Sequence, residues 1–433
     1  MLPTHFFCLP LRQRIIESIL FMSTLTISII VVFVLGYALI AMESLTKINK
    51  AAVALLMFVF CWVLYMVDPS PFVQLMHPEF KGMGDQLVTF ANKLITEHLG
   101  DTATTLFFLM GAMTIVEIVD QNGGFNWVKN VMRSKSKRSL LWKIAFMTFF
   151  LSAILDNLTT SIVMIMILRK LVQDHKDRMI YASLVIIAAN SGGAFSPIGD
   201  VTTIMLWNAG MITAGGVISE IFIPSLISMI IPAFVLQFLL KGKLGGDMLE
   251  TDHSGDTELL EFNGSQRKII FAIGVGGLCF VPVFHYFTDL PPFVGILLVL
   301  GILWTITEIF YRNLHRAKGD SEDFSKRVTN LLSRIDMSTI LFFLGILMAV
   351  ACLEEVGILH ELGGGLNSFF QGNHYAVTGI IGVLSSIVDN VPLVAGSMGM
   401  YPVQATGDMA VDGIFWQLLA YCAGVGGSIL IIG

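Results

Sequence analysis

Leu151 to Met164 reads LSAILDNLTTSIVM, an apolar run broken once, at Asp156-Asn157. Ser385 to Ala395 reads SSIVDNVPLVA and repeats the same Asp-Asn pair in the same setting, at Asp389-Asn390. Runs of this kind fill the chain. Of its 433 residues 55% are hydrophobic and 13% charged, with a mean hydropathy of +0.77. A soluble protein carries about 25% charged residues, so the composition excludes a cytosolic enzyme and predicts one polytopic membrane domain. The net charge of -6 and short basic clusters give no nucleic-acid stripe. Cys8, Cys61, Cys279, Cys352 and Cys422 lie in or beside apolar runs without paired spacing, which argues against a disulfide framework or a zinc site.

Spanning segments are expected near 20 to 41, 51 to 67, 102 to 119, 217 to 240, 269 to 288, 292 to 311 and 338 to 356. Three further stretches are interrupted by polar residues. They are 144 to 168 at Asp156-Asn157, 179 to 210 at Asn190 to Asp200, and 376 to 400 at Asp389-Asn390 before Pro392. A fourth runs from Ile414 into Gly424, Gly426 and Gly427. The first run continues to spanning length without a convincing small-residue cleavage site, so a cleavable signal peptide is not expected.

Cytoplasmic links are enriched in Lys and Arg. With the N-terminus outside, 22 of the 26 basic residues fall inside, and the exceptions are Arg12, Arg14, Lys81 and Lys93. The tally requires both flanks of 144 to 168 on one side. That segment is therefore expected to be a re-entrant hairpin, each arm of about 12 residues being too short for a core of about 30 Å. After Arg334 there is no Lys or Arg, so the hairpin at 376 to 400 is expected to open outward.

The halves also match each other at offsets of 233 to 235 residues. DTATTLFFLMGAM (101 to 113) pairs with DMSTILFFLGILM (336 to 348), with seven identities in thirteen. FFLSAILDNLTT (149 to 160) pairs with GVLSSIVDNVPL (382 to 393), and YASLVIIAANSGGAFSPIG (181 to 199) with FWQLLAYCAGVGGSILIIG (415 to 433). The first repeat begins outside and the second inside, an inverted arrangement typical of secondary transporters. The expected fold is all-α and polytopic, with two inverted-topology repeats, each carrying a re-entrant helical hairpin and a broken transmembrane helix. By domain, 1 to 100 holds N-terminal scaffold helices and 101 to 241 the first repeat. Residues 242 to 335 supply cytoplasmic links and two scaffold helices, and 336 to 433 the second repeat. The chain stops at Gly433, the partner of Gly199, so this repeat reads as cut short.

A membrane-embedded carboxylate costs about 2.5 to 3.5 kcal/mol on insertion scales, so Asp156 and Asp389 call for a function. Helix capping is one use. With the Asn157 and Asn390 amides and the hydroxyls of Thr159, Thr160 and Ser385 they also form a hard-oxygen set suited to a small cation, or they take up protons instead. Asp200, followed by Thr202 and Thr203, restarts a helix after glycines that would allow an unwound crossing, as cap or as ligand. Glu117, on the helix before the first hairpin, serves ion access or snorkels at an interface. Glu308, Glu354, Glu355 and His285 are expected at interfaces, and His98 in solvent.

LFFLMGAMTIVEIVD (106 to 120), LSAILDNLTTSIVM, AANSGGAFSPIGDVTTIMLW (188 to 207) and SSIVDNVPLVA together resemble the NhaD-type sodium/proton antiporters of the ion transporter superfamily. The resemblance covers most of the chain from about residue 50 and implies a central cation and proton site at Asp156, Asn157, Asp200, Thr202, Asp389 and Asn390. Transient Na+ would lie at Asp156 and Asp389. Glu117, Ser152, Thr159, Thr160, Asn190, Ser191 and Ser385 would support the site. It further implies exchange of Na+ or Li+ for H+ without a cofactor or enzyme chemistry, in a bacterial inner membrane. The partners would be the lipid bilayer and small cations, not nucleic acid, with dimerisation through the scaffold. Two rivals stand beside it: a sodium-coupled carboxylate or oxyanion transporter of the same architecture, and an intramembrane aspartyl protease suggested by Ile198-Gly199-Asp200.

Overall fold

The computed structural model describes residues 24–80, 86–132, 134, 136–240, 242, 262–318, 331, 333–334 and 335–429. The calls on Cys8, Arg12, Arg14 and Lys81 lie outside these residues, as does the end of the second repeat beyond Ile429. Among the described residues every regular element is a helix, and eight helices are long and apolar enough to cross a membrane. The chain is a multi-pass membrane protein. Two compact units divide it, one formed by residues 1–99 and 341–362, the other by residues 100–340 and 363–433.

Helices α1 (Thr24–Ala41), α2 (Lys50–Val67), α3 (Ser70–Met76) and the start of α4 (Gln86–Gln121) belong to the smaller unit. Asn49 caps α2 by accepting from the Ala51 amide. Within this unit Trp62 Nε1 donates to the Met348 carbonyl at 2.8 Å, and Gly345 lets the Ala54 backbone approach. Glu355, 8% exposed at its side chain, sits between His77 Nε2 at 3.0 Å and His98 Nε2 at 2.8 Å. The solvated reading of His98 is thus corrected, while Glu355 ends its helix as expected but is buried between the two histidines. The span expected at 102 to 119 extends back to Gln86, because neither Gly100 nor Asp101 breaks the helix, and this carries His98 inside it.

The larger unit continues with α5 (Asn126–Met132), α6 (Lys137–Leu155), α7 (Asn157–Leu171), α8 (His175–Ala194), α9 (Val201–Asn208) and α10 (Ala214–Leu236). Then come α11 (Gly264–Thr288), α12 (Pro292–Lys318), α13 (Met337–Glu355, largely in the smaller unit), α14 (Ile358–Phe369, in the smaller unit up to Leu362), α15 (His374–Leu384), α16 (Asn390–Met400) and α17 (Ile414–Gly426). Asp174 caps α8 through the Asp177 amide, which holds its carboxyl below the usual carboxylate range.

Two expectations change here. The arm ending at Asp156 is 19 residues, not about 12, since α6 continues back through Lys143, Arg138 and Lys137 to Ser136. At about 1.5 Å per residue it rises roughly 28 Å, so the length argument for a short first arm fails. The helices flanking Asp389, at 11 residues each, remain short. The second change concerns Asn190 to Gly193, which are helical; the interruption is confined to 195–200. Gly192 admits a neighbouring helix, and Gly193 admits the Gly199 carbonyl of the break that follows, instead of unwinding their own helix. A Cβ on Gly192 would collide with the Phe149 carbonyl, so only glycine lets α8 pack this closely on α6. Gly426 stands in the same relation to the Gly382 carbonyl on α15.

Candidate functional site

Three aspartates each end a break in the chain and cap the helix that follows. Asp156 Oδ1 accepts from the Thr159 amide at 2.8 Å and Oδ2 from the Thr159 hydroxyl at 2.7 Å. Asp200 Oδ1 accepts from the Thr202 amide at 3.0 Å, and Asp389 Oδ1 from the Val391 amide at 3.3 Å. Each cap supplies about 1 kcal/mol to its helix. Asp156 does so at φ 89° and ψ 156°, a region almost reserved for glycine that costs about 1 to 3 kcal/mol. Asp389 has φ -51°.

The caps converge on Asp200, which is 1% exposed. Asn157 Nδ2 donates to its Oδ2 at 3.1 Å, and Asn390 Nδ2 reaches Oδ2 at 3.2 Å and Oδ1 at 3.3 Å. Asn157 Nδ2 also lies 3.2 Å from Asn190 Oδ1, and Asn190 Nδ2 donates to Ser428 Oγ at 3.0 Å. Every hydrogen bond to Asp156 and Asp200 comes from a neutral donor. Among the described residues no ammonium or guanidinium pairs with either of them. A buried carboxylate without a counter-charge demands a bound proton or cation.

The breaks are held in matched ways. Ser152 Oγ donates to the Ala189 carbonyl at 2.6 Å, and Ser385 Oγ to the Ala423 carbonyl at 2.7 Å. In the segment 195–200, Ser196 Oγ donates to the Ala153 carbonyl at 2.5 Å. Thr203 Oγ1 donates to the carbonyls of Ser196 and Asp200, both at 2.8 Å. Of the hydroxyls singled out in the sequence, those of Thr160, Ser191 and Thr202 are buried and make no hydrogen bond among the described residues.

Thus Asn157, Asp200, Asn390 and Asn190 form one hydrogen-bonded cluster, with Asp156 and Asp389 on the adjoining caps. Thr202 contributes its amide to Asp200, Thr159 serves Asp156, and Ser152 and Ser385 hold the breaks. Glu117 is not part of the cluster; it accepts from Gln121 at 2.9 Å and pairs with Arg334 at 3.6 Å. Sequence reading missed Ser428 and Gly424. A Cβ on Gly424 would stand 3.4 Å from Asp200 Oδ2, and the repeat alignment pairs Gly424 with Asn190, a signal that could have exposed it.

The family profile described as CitMHS, citrate transporter, matches residues 37–426. Sodium/proton antiporter 2 of Arabidopsis thaliana is 40% identical over 403 residues, 93% of this chain and 88% of that protein. Sodium/proton antiporter 1 of the same plant is 40% identical over 94% of this chain, which spans 65% of its length, just under two thirds. The Na(+)/H(+) antiporter NhaD of Vibrio parahaemolyticus is 30% identical over 79% of this chain and 83% of its own.

Proposed function

From the premise that this chain belongs to the NhaD-type sodium/proton antiporters within the CitMHS citrate-transporter family, we propose that it exchanges Na+ or Li+ for H+ at the cluster centred on Asp200. The observation that carries the reading is the meeting of Asn157 and Asn390, one from each Asp-Asn pair, on a single buried carboxylate that has only neutral donors. Cation and proton compete for the same oxygens. Na+ is held by the carboxylate oxygens of Asp156, Asp200 and Asp389 and the amide oxygens of Asn157 and Asn390, with the hydroxyls of Thr160, Ser191 and Thr202 without other partners among the described residues. Protons take the carboxylates when it leaves.

The matched bonds of Ser152 and Ser385, and the matched glycines Gly192 and Gly426, support two repeats built to one plan. We read these as inverted, with re-entrant hairpins at Asp156 and Asp389, so that alternating access arises from halves that exchange roles. The membrane we assign is an inner membrane that bears a proton gradient. Assembly as a homodimer through the scaffold helices belongs to the same proposal.

A carboxylate substrate, which the description of the matched family would suggest, fits this site less well. An anion seeks positive charge or donors free to bind it, and here the amides of Asn157 and Asn390 are already committed to Asp200.

Everted vesicles from antiporter-deficient cells test the reading. With the full chain, addition of Na+ or Li+ should release an imposed proton gradient, and Asp156→Asn or Asp389→Asn should abolish that response. Vesicles unresponsive to Na+, or variants with undiminished response, would refute it.

A further inference from the structure

Asp412 lies apart from the Asp200 cluster, in the turn that leads into α17. Its Oδ1 accepts from the Thr213 amide at 2.7 Å and from Gln417 Nε2 at 3.1 Å, and its Oδ2 accepts from the Thr213 hydroxyl at 2.7 Å. Its own amide donates to the Met211 carbonyl at 3.0 Å. The Thr213 hydroxyl in turn accepts from the Gly216 amide at 3.0 Å and so caps α10. A Cβ on Gly216 would collide with the Asp412 carboxylate, and Asp412 adopts φ 59° to reach this place. The turn after α9 is thereby clasped to the turn before α17.

These two turns are the far ends of the two helices that meet at Asp200. Asp200 caps α9, whose eight residues carry the chain about 12 Å to the clasp. Helix α17 begins at the clasp, and about 15 Å along it Gly424 packs against Ala194 beside Asp200: a Cβ there would press on the Ala194 Cβ at 3.1 Å and touch Asp200 Oδ2 at 3.4 Å. A slip of one residue, about 1.5 Å, would replace that glycine by Ala423 or Val425. We propose that Asp412 is a positioning residue for the cation site, fixing the axial register of α17 on α9 so that Gly424 stays opposite Asp200. The inference rests on the antiport reading and adds to it a control point outside the ion-binding oxygens.

The test is antiport kinetics in everted vesicles, with the melting temperature of each purified variant measured alongside. Asp412→Ala should raise the apparent KM for Na+ about five- to tenfold, on the scale of one ordinary intramolecular hydrogen bond because the effect is indirect, while the maximal rate stays within about twofold. Thr213→Ser should match the unmodified protein and Thr213→Val should follow Asp412→Ala, which keeps the test available if Asp412→Ala does not fold. Because the effect runs through Gly424, Asp412→Ala and Gly424→Ala should be non-additive on KM. A lowered melting temperature with unchanged KM in Asp412→Ala and Thr213→Val, or strict additivity with Gly424→Ala, would overturn the proposal while leaving antiport intact. No Na+ response from the unmodified chain would overturn both.

Discussion

Replacing Asp200 by Asn keeps the size of the side chain and an oxygen to cap α9, but removes the charge that Asn157 and Asn390 converge upon. Asp200→Asn should therefore fold and lose Na+-dependent proton flux, measured in vesicles at matched expression. Asn390→Ala removes two bonds to a buried carboxylate. Hydrogen bonds to charged groups are worth about 1.5 to 3 kcal/mol each, so it should raise the apparent KM for Na+ by about tenfold or more. Asn157→Ala, which removes one such bond, should raise it less; the reverse order would count against Asp200 as the hub. At this scale the sequence was legible where a charge stood out against apolar surroundings, as at Asp156 and Asp389. Asp200 follows Pro197, Ile198 and Gly199 and reads from the residues as cap or as ligand; the resemblance puts it in the site, but that both asparagines converge on it emerges only in space. Glu117 was the opposite case, a conspicuous charge that turns out to pair with Arg334.

Among the elements, breaks were easier to foresee than helix ends. A carboxylate-amide pair in an apolar run marks a cap, but Lys137, Arg138 and Lys143 lie within α6 because long basic side chains let a helix run on past the apolar core. Glycines misled for a related reason. Gly192 and Gly193 suit an unwound crossing in sequence, whereas in space both are helical and make room for a carbonyl, that of Phe149 at Gly192 and that of Gly199 at Gly193, and only those partners show which use applies. Gly192→Ala and Gly426→Ala should each destabilise the fold by about 1 to 3 kcal/mol through overpacking, read as a lower melting temperature in detergent. Gly364→Ala, where a Cβ meets nothing, should have little effect.

For the whole molecule, composition sufficed for a polytopic membrane protein, and the repeat blocks are the basis on which we propose a two-part plan. Orientation rests on the Lys and Arg distribution. If the plan is inverted, a cysteine at Gly365, in a chain whose own cysteines are replaced, should react with an impermeant maleimide added outside intact cells, and one at Ser134 should not. Equal labelling of both would remove the basis for inversion.

Competition between Na+ and H+ at Asp200 is tested most directly by proton release. Na+ added to the purified protein in weakly buffered detergent should release protons from the unmodified chain and none, or far fewer, from Asp200→Asn. Undiminished release from Asp200→Asn, or none from the unmodified protein across the pH range in which it transports, would contradict the account.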